Sequence, residues 1–292
     1  MTAHGVTRMR HLDQYDERFV ESGFNAVAGG YGDVLFLQRS AELLVEVVCR
    51  NPVSRVLDVA TGPGTSALLL AGKVPGCQVV GIDVAAAMVA EATSRAQRLG
   101  LPGAHFQVAS ALSLPFENGS FDAALCSNAI YYMPNFESAL HEWVRVVQPG
   151  GWVAFSTFGV GVLEPMSQLF DARIRAHGVT VPEPTPLYRL NQASACRDLL
   201  ERVGLKDIAA LERQQGYWVP GESHWWRTLM STGFQALVAA LGPAERRQFE
   251  QAHRSEVRQH VEARGLWIDV PVIVACGRRP TFSDATESRP SP

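Results

Sequence analysis

Lysine is nearly missing from this 292-residue chain. Only Lys73 and Lys206 occur, against many arginines, so neither a Gly-Lys-Ser/Thr phosphate loop nor a Tyr-x-x-x-Lys catalytic pair can be assembled. Excess positive charge is missing too: 26 basic against 29 acidic side chains leave a formal net charge of −3 and no electrostatic ground for a nucleic-acid partner. The cysteines, Cys49, Cys77, Cys126, Cys196 and Cys276, are odd in number, scattered and never spaced C-x-x-C. That excludes a disulfide frame and a zinc site, and reads as reduced thiols of a cytoplasmic protein. No segment approaches the ~20 apolar residues of a membrane span, and no apolar run follows Arg8 and Arg10 as it would in a leader. No His-x-x-x-His or paired-acid cluster has ligand spacing, so no metal is expected. The chain does have apolar residues in quantity, 47%, enough for one large α/β domain or one domain carrying a lid.

The chain is organised around Val56-Leu57-Asp58-Val59-Ala60-Thr61-Gly62-Pro63-Gly64-Thr65. A β-branched apolar run ends in a carboxylate, two glycines bracket a turn, and Thr65-Ser66 can cap a helix beginning at Ala67. Glycine suits a loop whose backbone a ligand must approach closely. Gly62-x-Gly64-x-x-Ala67 satisfies a dinucleotide fingerprint, and Asp83 follows Gly64 by 83 − 64 = 19 residues, where a ribose-binding acid belongs. Asp58 decides between cofactors. A carboxylate there would repel a pyrophosphate but attract, directly or through water, the ammonium of a methionine moiety. The loop therefore suits S-adenosylmethionine better than NAD.

Asp58-Val59-Ala60-Thr61-Gly62-Pro63-Gly64, Gly81-Ile82-Asp83, Leu114-Pro115-Phe116, Gly119-Ser120-Phe121-Asp122 and Gln148-Pro149-Gly150-Gly151 follow one another in a family-like order and spacing. On these the chain resembles the class I S-adenosylmethionine-dependent methyltransferases, within them the ubiquinone and menaquinone biosynthesis branch, over about residues 24 to 158. The resemblance implies a Rossmann-like, seven-stranded doubly wound α/β sheet with an N-terminal helical cap and a C-terminal helical lid insertion. The chain is expected to divide into a cap (1–45), a cofactor-binding core (46–158), lid insertions with the last strands (159–279) and, from its polar, Pro/Ser-rich composition, a disordered tail (280–292). It also implies S-adenosylmethionine as cofactor, held by Tyr31, Asp58, Ala60, Thr61, Gly62, Gly64, Asp83, Val84, Met88, Ser110, Ala111, Leu112 and Asn128. Tyr31 would close over the methionine end, and Met88 either faces the adenine or is plain core.

The chain departs from the family in two places. Where relatives carry Gly-Asp-Ala, with the acid accepting from the adenine amino group, this chain has Ala109-Ser110-Ala111, a loss of about 1 kcal/mol in acceptor strength. At the tip of the fourth strand it has Asn128-Ala129-Ile130-Tyr131-Tyr132, not the Asn-Pro-Pro-Tyr of nucleic-acid methylases, so the acceptor is expected to be a small molecule. Histidines of relatives are replaced by Tyr131 and Tyr132, which can orient a hydroxyl or offer a π face to a sulfonium, or simply pack.

The segment 217–266 is far longer than a hairpin needs and holds Trp218, His224, Trp225, Trp226 and Phe234. As a lid it would wall a hydrophobic, aromatic acceptor; otherwise it forms a homodimer surface or a helical patch. His224 leads as general base, followed by Tyr131 and Tyr132. The activity expected is methyl transfer to a hydrophobic aromatic or phenolic small molecule, to oxygen or carbon rather than nitrogen. The alternatives are a nicotinamide-dependent oxidoreductase and a catalytically silent S-adenosylmethionine-binding protein.

Overall fold

The structure, a computed structural model, describes residues 17–181, 183–281 and 284. The first residues of the expected cap and most of the expected tail, 280–292, lie outside the described residues. Two helices come first, α1 (Glu17–Tyr31) and α2 (Leu35–Val48). Strands and helices then alternate: β1 (Arg55–Val59), α3 (Thr65–Lys73), β2 (Gln78–Asp83), α4 (Ala86–Leu99), β3 (Ala104–Val108), β4 (Phe121–Ser127), α5 (Phe136–Val146) and β5 (Val147–Phe158). Then follow α6 (Met166–Ala176), α7 (Ala193–Arg202) and β6 (Lys206–Gln214). The long insertion contains β7 (Tyr217–Val219), α8 (Glu222–Met230), α9 (Phe234–Ala239), α10 (Pro243–Arg258) and β8 (Leu266–Ile268), before β9 (Pro271–Arg278) returns to the sheet.

The seven-stranded sheet has the order β3-β2-β1-β4-β5-β9-β6. β1 to β5 pair in parallel, and β9 runs antiparallel between β5 and β6. Helices on both faces bury the strands, which is why β1 and β4 read as nearly unbroken apolar runs. Val56, Leu57, Val59, Ala123, Leu125 and Cys126 are fully buried. The strand order reverses between β1 and β4, so a crevice opens beyond their carboxyl ends.

Gln148-Pro149-Gly150-Gly151 lies inside β5, which starts at Val147 and bulges there: Phe121 and Ala123 of β4 face Val147 and Trp152. The end of α5 is held by Arg279, whose guanidinium donates to the carbonyls of Val144 (3.0 Å), Arg145 (2.9 Å) and Val147. The charged stretch that follows Gly242 forms α10, which ends at Arg258.

The insertion closes on itself. β7 and β8 form a separate antiparallel ribbon, pairing Tyr217 with Ile268 and Val219 with Leu266. Phe170 of α6, Phe249 and His253 of α10, and Trp225 and Trp226 of α8 make its core. α1 packs on α4 on one side and α9 on the other, so the first helix bridges core and insertion. Among the described residues no helix is long and apolar enough to cross a membrane.

Candidate active site

The loop after β1 is wound through left-handed backbone. Ala60 (φ 53°), Gly62 (φ 55°) and Gly64 (φ 81°) all have positive φ. For an alanine that conformation costs free energy, and such costs gather where a loop is shaped for a ligand. The two glycines serve different ends. A Cβ at Gly62 would find only Tyr31, 4.0 Å away, so this position faces open space. A Cβ on Gly64 would lie 3.0 Å from both Ala92 and Phe106, so that glycine lets α3 close onto α4 and β3.

Asp58 and Asp83 hold this loop from behind and from the side. Asp58 is 1% exposed. Its Oδ2 accepts from Thr61 Oγ1 (2.6 Å) and from the Ala67 amide in the first turn of α3 (3.1 Å). Burial, only partly offset by these bonds, pushes its pKa up to about 7, and the charge of Asp83 adds to the rise. Its Oδ1 is buried without a partner, as is the Oγ of Ser66, a residue that lines the cavity. Asp58 is not on the cavity wall: it sits beneath the loop, bonded to Thr61, which is. Asp83 does reach the wall, with Oδ2 accepting from the Gly62 amide (2.8 Å) and Oδ1 from the Ala85 amide (2.9 Å). Burial raises its pKa against the pull of those bonds.

These residues line a cavity of about 930 Å³ beyond the tips of β1, β2 and β4. Tyr31, Ala60, Thr61, Gly62, Asp83, Val84, Met88, Ala111 and Asn128 of the sequence-predicted set are on its wall. Asp58, Gly64, Ser110 and Leu112 stand behind it. Asn128 has a positive φ of 53° at the tip of β4, and its Oδ1 accepts from Ser40 Oγ (2.8 Å) and Ser156 Oγ (3.2 Å). Trp143 Nε1 donates to the Ala111 carbonyl at 3.0 Å and fixes the loop after β3. Ser110 donates its hydroxyl proton to Glu17 and accepts from the Leu112 amide at 3.1 Å.

A second cavity of about 960 Å³ adjoins the first. The two share Val20, Phe24, Tyr31, Leu37 and Tyr132. The shared rings are locked edge to face, Phe24 on Tyr31 at 5.5 Å and on Tyr132 at 5.2 Å between centroids. Farther in, the wall is Tyr131, Phe158, Leu163 and Leu187, with Phe234 and Leu237 of α9. Among the described residues no carboxylate, imidazole, ammonium or guanidinium lines it. Burial pushes the pKa values of Tyr31 and Tyr131 well above 10, so both remain phenols. Arg189, below this wall, is spent on the carbonyls of Tyr131 (2.8 Å) and Met133 (2.7 Å), and its guanidinium lies over Phe136.

His224 lines neither cavity. On α8 it is Trp225, its neighbour, that turns inward, donating to Nε2 of the fully buried His253 at 3.0 Å. Glu17, Ser40, Trp143 and Arg189 escaped sequence reading because each reaches the site from an element distant in the chain. Among the described residues there is no cluster of three or more His, Cys, Asp or Glu that could hold a metal ion.

Residues 56–151 match the family model described as a methyltransferase domain. The demethylmenaquinone methyltransferase of Thermus thermophilus is 40% identical over 119 residues, 41% of this chain and 52% of that protein, so the alignment spans about half of this relative. The malonyl-[acyl-carrier protein] O-methyltransferase of Geobacter sulfurreducens is 25% identical over 269 residues, 90% of this chain and 99% of that protein. Among solved structures, the YcgJ protein of Bacillus subtilis superposes with a TM-score of 0.56 at 21% identity, over 83% of this chain and 98% of that one.

Proposed function

We propose that this chain, a member of the class I S-adenosylmethionine-dependent methyltransferases, moves a methyl group onto oxygen or carbon of a hydrophobic, aromatic or phenolic small molecule. The observation that carries the reading is the pair of cavities sharing one aromatic wall, a polar one over the glycine loop and an apolar one beyond it.

The first cavity fits the cofactor by its own chemistry. The unpartnered Ser66 hydroxyl, the loop amides and Asp58 beneath Thr61 suit an amino-acid end. Asp83 offers carboxylate lone pairs to two ribose hydroxyls, while Val84, Met88, Ala109 and Ala111 make an apolar slot for a flat base. When bound, the cofactor supplies an activated methyl on a sulfonium, so the protein's work is alignment and exclusion of water. Phe24, Tyr31 and Tyr132 at the partition present π faces suited to a sulfonium and hold the acceptor on the far side.

The second cavity limits the acceptor by what it would leave unpaired. An ammonium would be buried without a carboxylate, and a free carboxylate without a cation, each at a cost of several kcal/mol by order of magnitude. A quinone-type ring is therefore favoured over a malonyl carboxylate. With Tyr31 and Tyr131 held as phenols, none of the described side chains lining the second cavity is an ionised base that could remove a proton. The acceptor atom must be nucleophilic by itself, as a phenolic oxygen or an electron-rich ring carbon is; Tyr132 and Thr232 can orient its hydroxyl.

The test is methyl transfer to a panel of phenols, quinols, amines and carboxylic acids, read as the mass gain of the product. The reading expects turnover on apolar phenols or quinols, abolished by Ala236→Trp, which fills the second cavity, while S-adenosylhomocysteine still binds. Turnover confined to amines or carboxylates would overturn the acceptor assignment.

A further inference from the structure

Ser110 stands where a carboxylate would serve an amino-bearing base, yet a carboxylate is present. Glu17, the first residue of α1, reaches across to the loop after β3 and accepts the hydroxyl proton of Ser110. It lies on the wall of the first cavity beside Ala109 and Ala111, the residues flanking Ser110. Ser110 has no proton left to give, and one of its lone pairs already receives the Leu112 amide. Glu17 uses Oε1 for that contact; among the described residues no donor other than Ser110 reaches it. Asp83, the other carboxylate on this wall, sits at the glycine-loop end, bound to the amides of Gly62 and Ala85.

We infer that Glu17 is the residue that reads the exocyclic amino group of the cofactor's base, a carboxylate delivered by the amino-terminal helix in place of one at the end of β3. This rests on the cofactor assignment above. The chemistry is that of an amino donor meeting a carboxylate acceptor at the edge of an apolar slot, with Ser110 fixing the carboxylate rather than binding the base itself. A base carrying an oxo group at the same position would instead turn lone pairs toward Glu17. The device has a structural consequence: α1 also walls the second cavity through Val20, Gly23 and Phe24, so the contact ties that helix down over both chambers.

The experiment is calorimetric titration of the full chain with S-adenosylhomocysteine and with S-inosylhomocysteine, for wild type, Glu17→Ala, Glu17→Gln and Ser110→Ala. Wild type should prefer the adenosyl ligand by about 10- to 100-fold, the worth of one charge-assisted hydrogen bond. Glu17→Ala should bring the two affinities to within about twofold, Glu17→Gln should fall between, and Ser110→Ala should keep most of the preference. A merely structural Glu17 would weaken both ligands by one factor; a preference unchanged in Glu17→Ala overturns the inference while leaving the cofactor assignment standing. If wild type binds neither ligand, the cofactor assignment falls and the inference with it.

Discussion

Replacing Asp58 by asparagine isolates the most strained charge in the site. The carboxyl is 1% exposed, and its pKa rises from the ordinary 3.8 to about 7, chiefly through desolvation. A folded-state pKa above the unfolded one means that the native chain holds the proton more tightly. The associated stability is complete below about pH 4 and is lost as pH climbs through about 7. Over that window the loss amounts to at most about 4 kcal/mol, from about 1.4 kcal/mol for each pH unit of displacement. In Asp58→Asn the amide oxygen would keep an acceptor for Thr61 Oγ1 and the Ala67 amide without carrying a charge. In a chain of 292 residues, that ceiling converts to a melting-temperature gain of at most about 6 °C for Asp58→Asn at pH 8. The gap should close as pH falls from 7 towards 4. Saturating S-adenosylhomocysteine should also narrow it, because the ligand's ammonium favours the ionised aspartate. Scanning calorimetry from pH 4 to 8, with and without ligand, reads all three effects. An Asp58→Asn protein no more stable than wild type at pH 8, or a gap independent of pH, would refute the idea that Asp58 is a carboxyl held against its own desolvation.

A second titration lies in the insertion. Burial lowers the pKa of His253 to about 4, so its neutral form adds stability that is present above about pH 6.5 and lost as pH falls through about 4, at most about 3 kcal/mol. His253→Gln, which retains an acceptor for Trp225 Nε1, should flatten the acid arm of urea unfolding followed by tryptophan fluorescence; an unchanged arm would remove His253 as its cause. His224→Ala should leave kcat/KM and its pH profile unaltered, since the imidazole lines neither cavity. A lost pH limb would restore it as the base.

The sheet was legible because parallel strands buried on both faces leave continuous apolar runs, and because Gly62, Gly64 and Asp83 sit at fixed offsets from the first of them. The last strand, β9, is also such a run, with Val272, Ile273, Val274 and Ala275 all buried. What could not be read depends on contacts between distant segments. Asp58 and Asp83 look alike as strand-end acids, and only packing puts one beneath the loop and the other on the wall. His224 stands beside Trp225 and Trp226 in sequence whereas His253 lies in a charged stretch, yet α10 folds back so that it is the second that is buried against Trp225 and Phe249. The loss of an acid at Ser110 was visible; its replacement, 93 residues earlier at Glu17, was not.

Cofactor and acceptor readings alike stand on the cavity over the glycine loop being an S-adenosylmethionine site organised by Asp83. Calorimetric titration of wild type and Asp83→Ala with S-adenosylhomocysteine, NAD and NADP tests it most directly. Binding of S-adenosylhomocysteine alone is expected, weakened about 100-fold in Asp83→Ala by the loss of two charge-assisted bonds to the ribose. Binding of a nicotinamide cofactor alone, or S-adenosylhomocysteine affinity indifferent to Asp83→Ala, would contradict it.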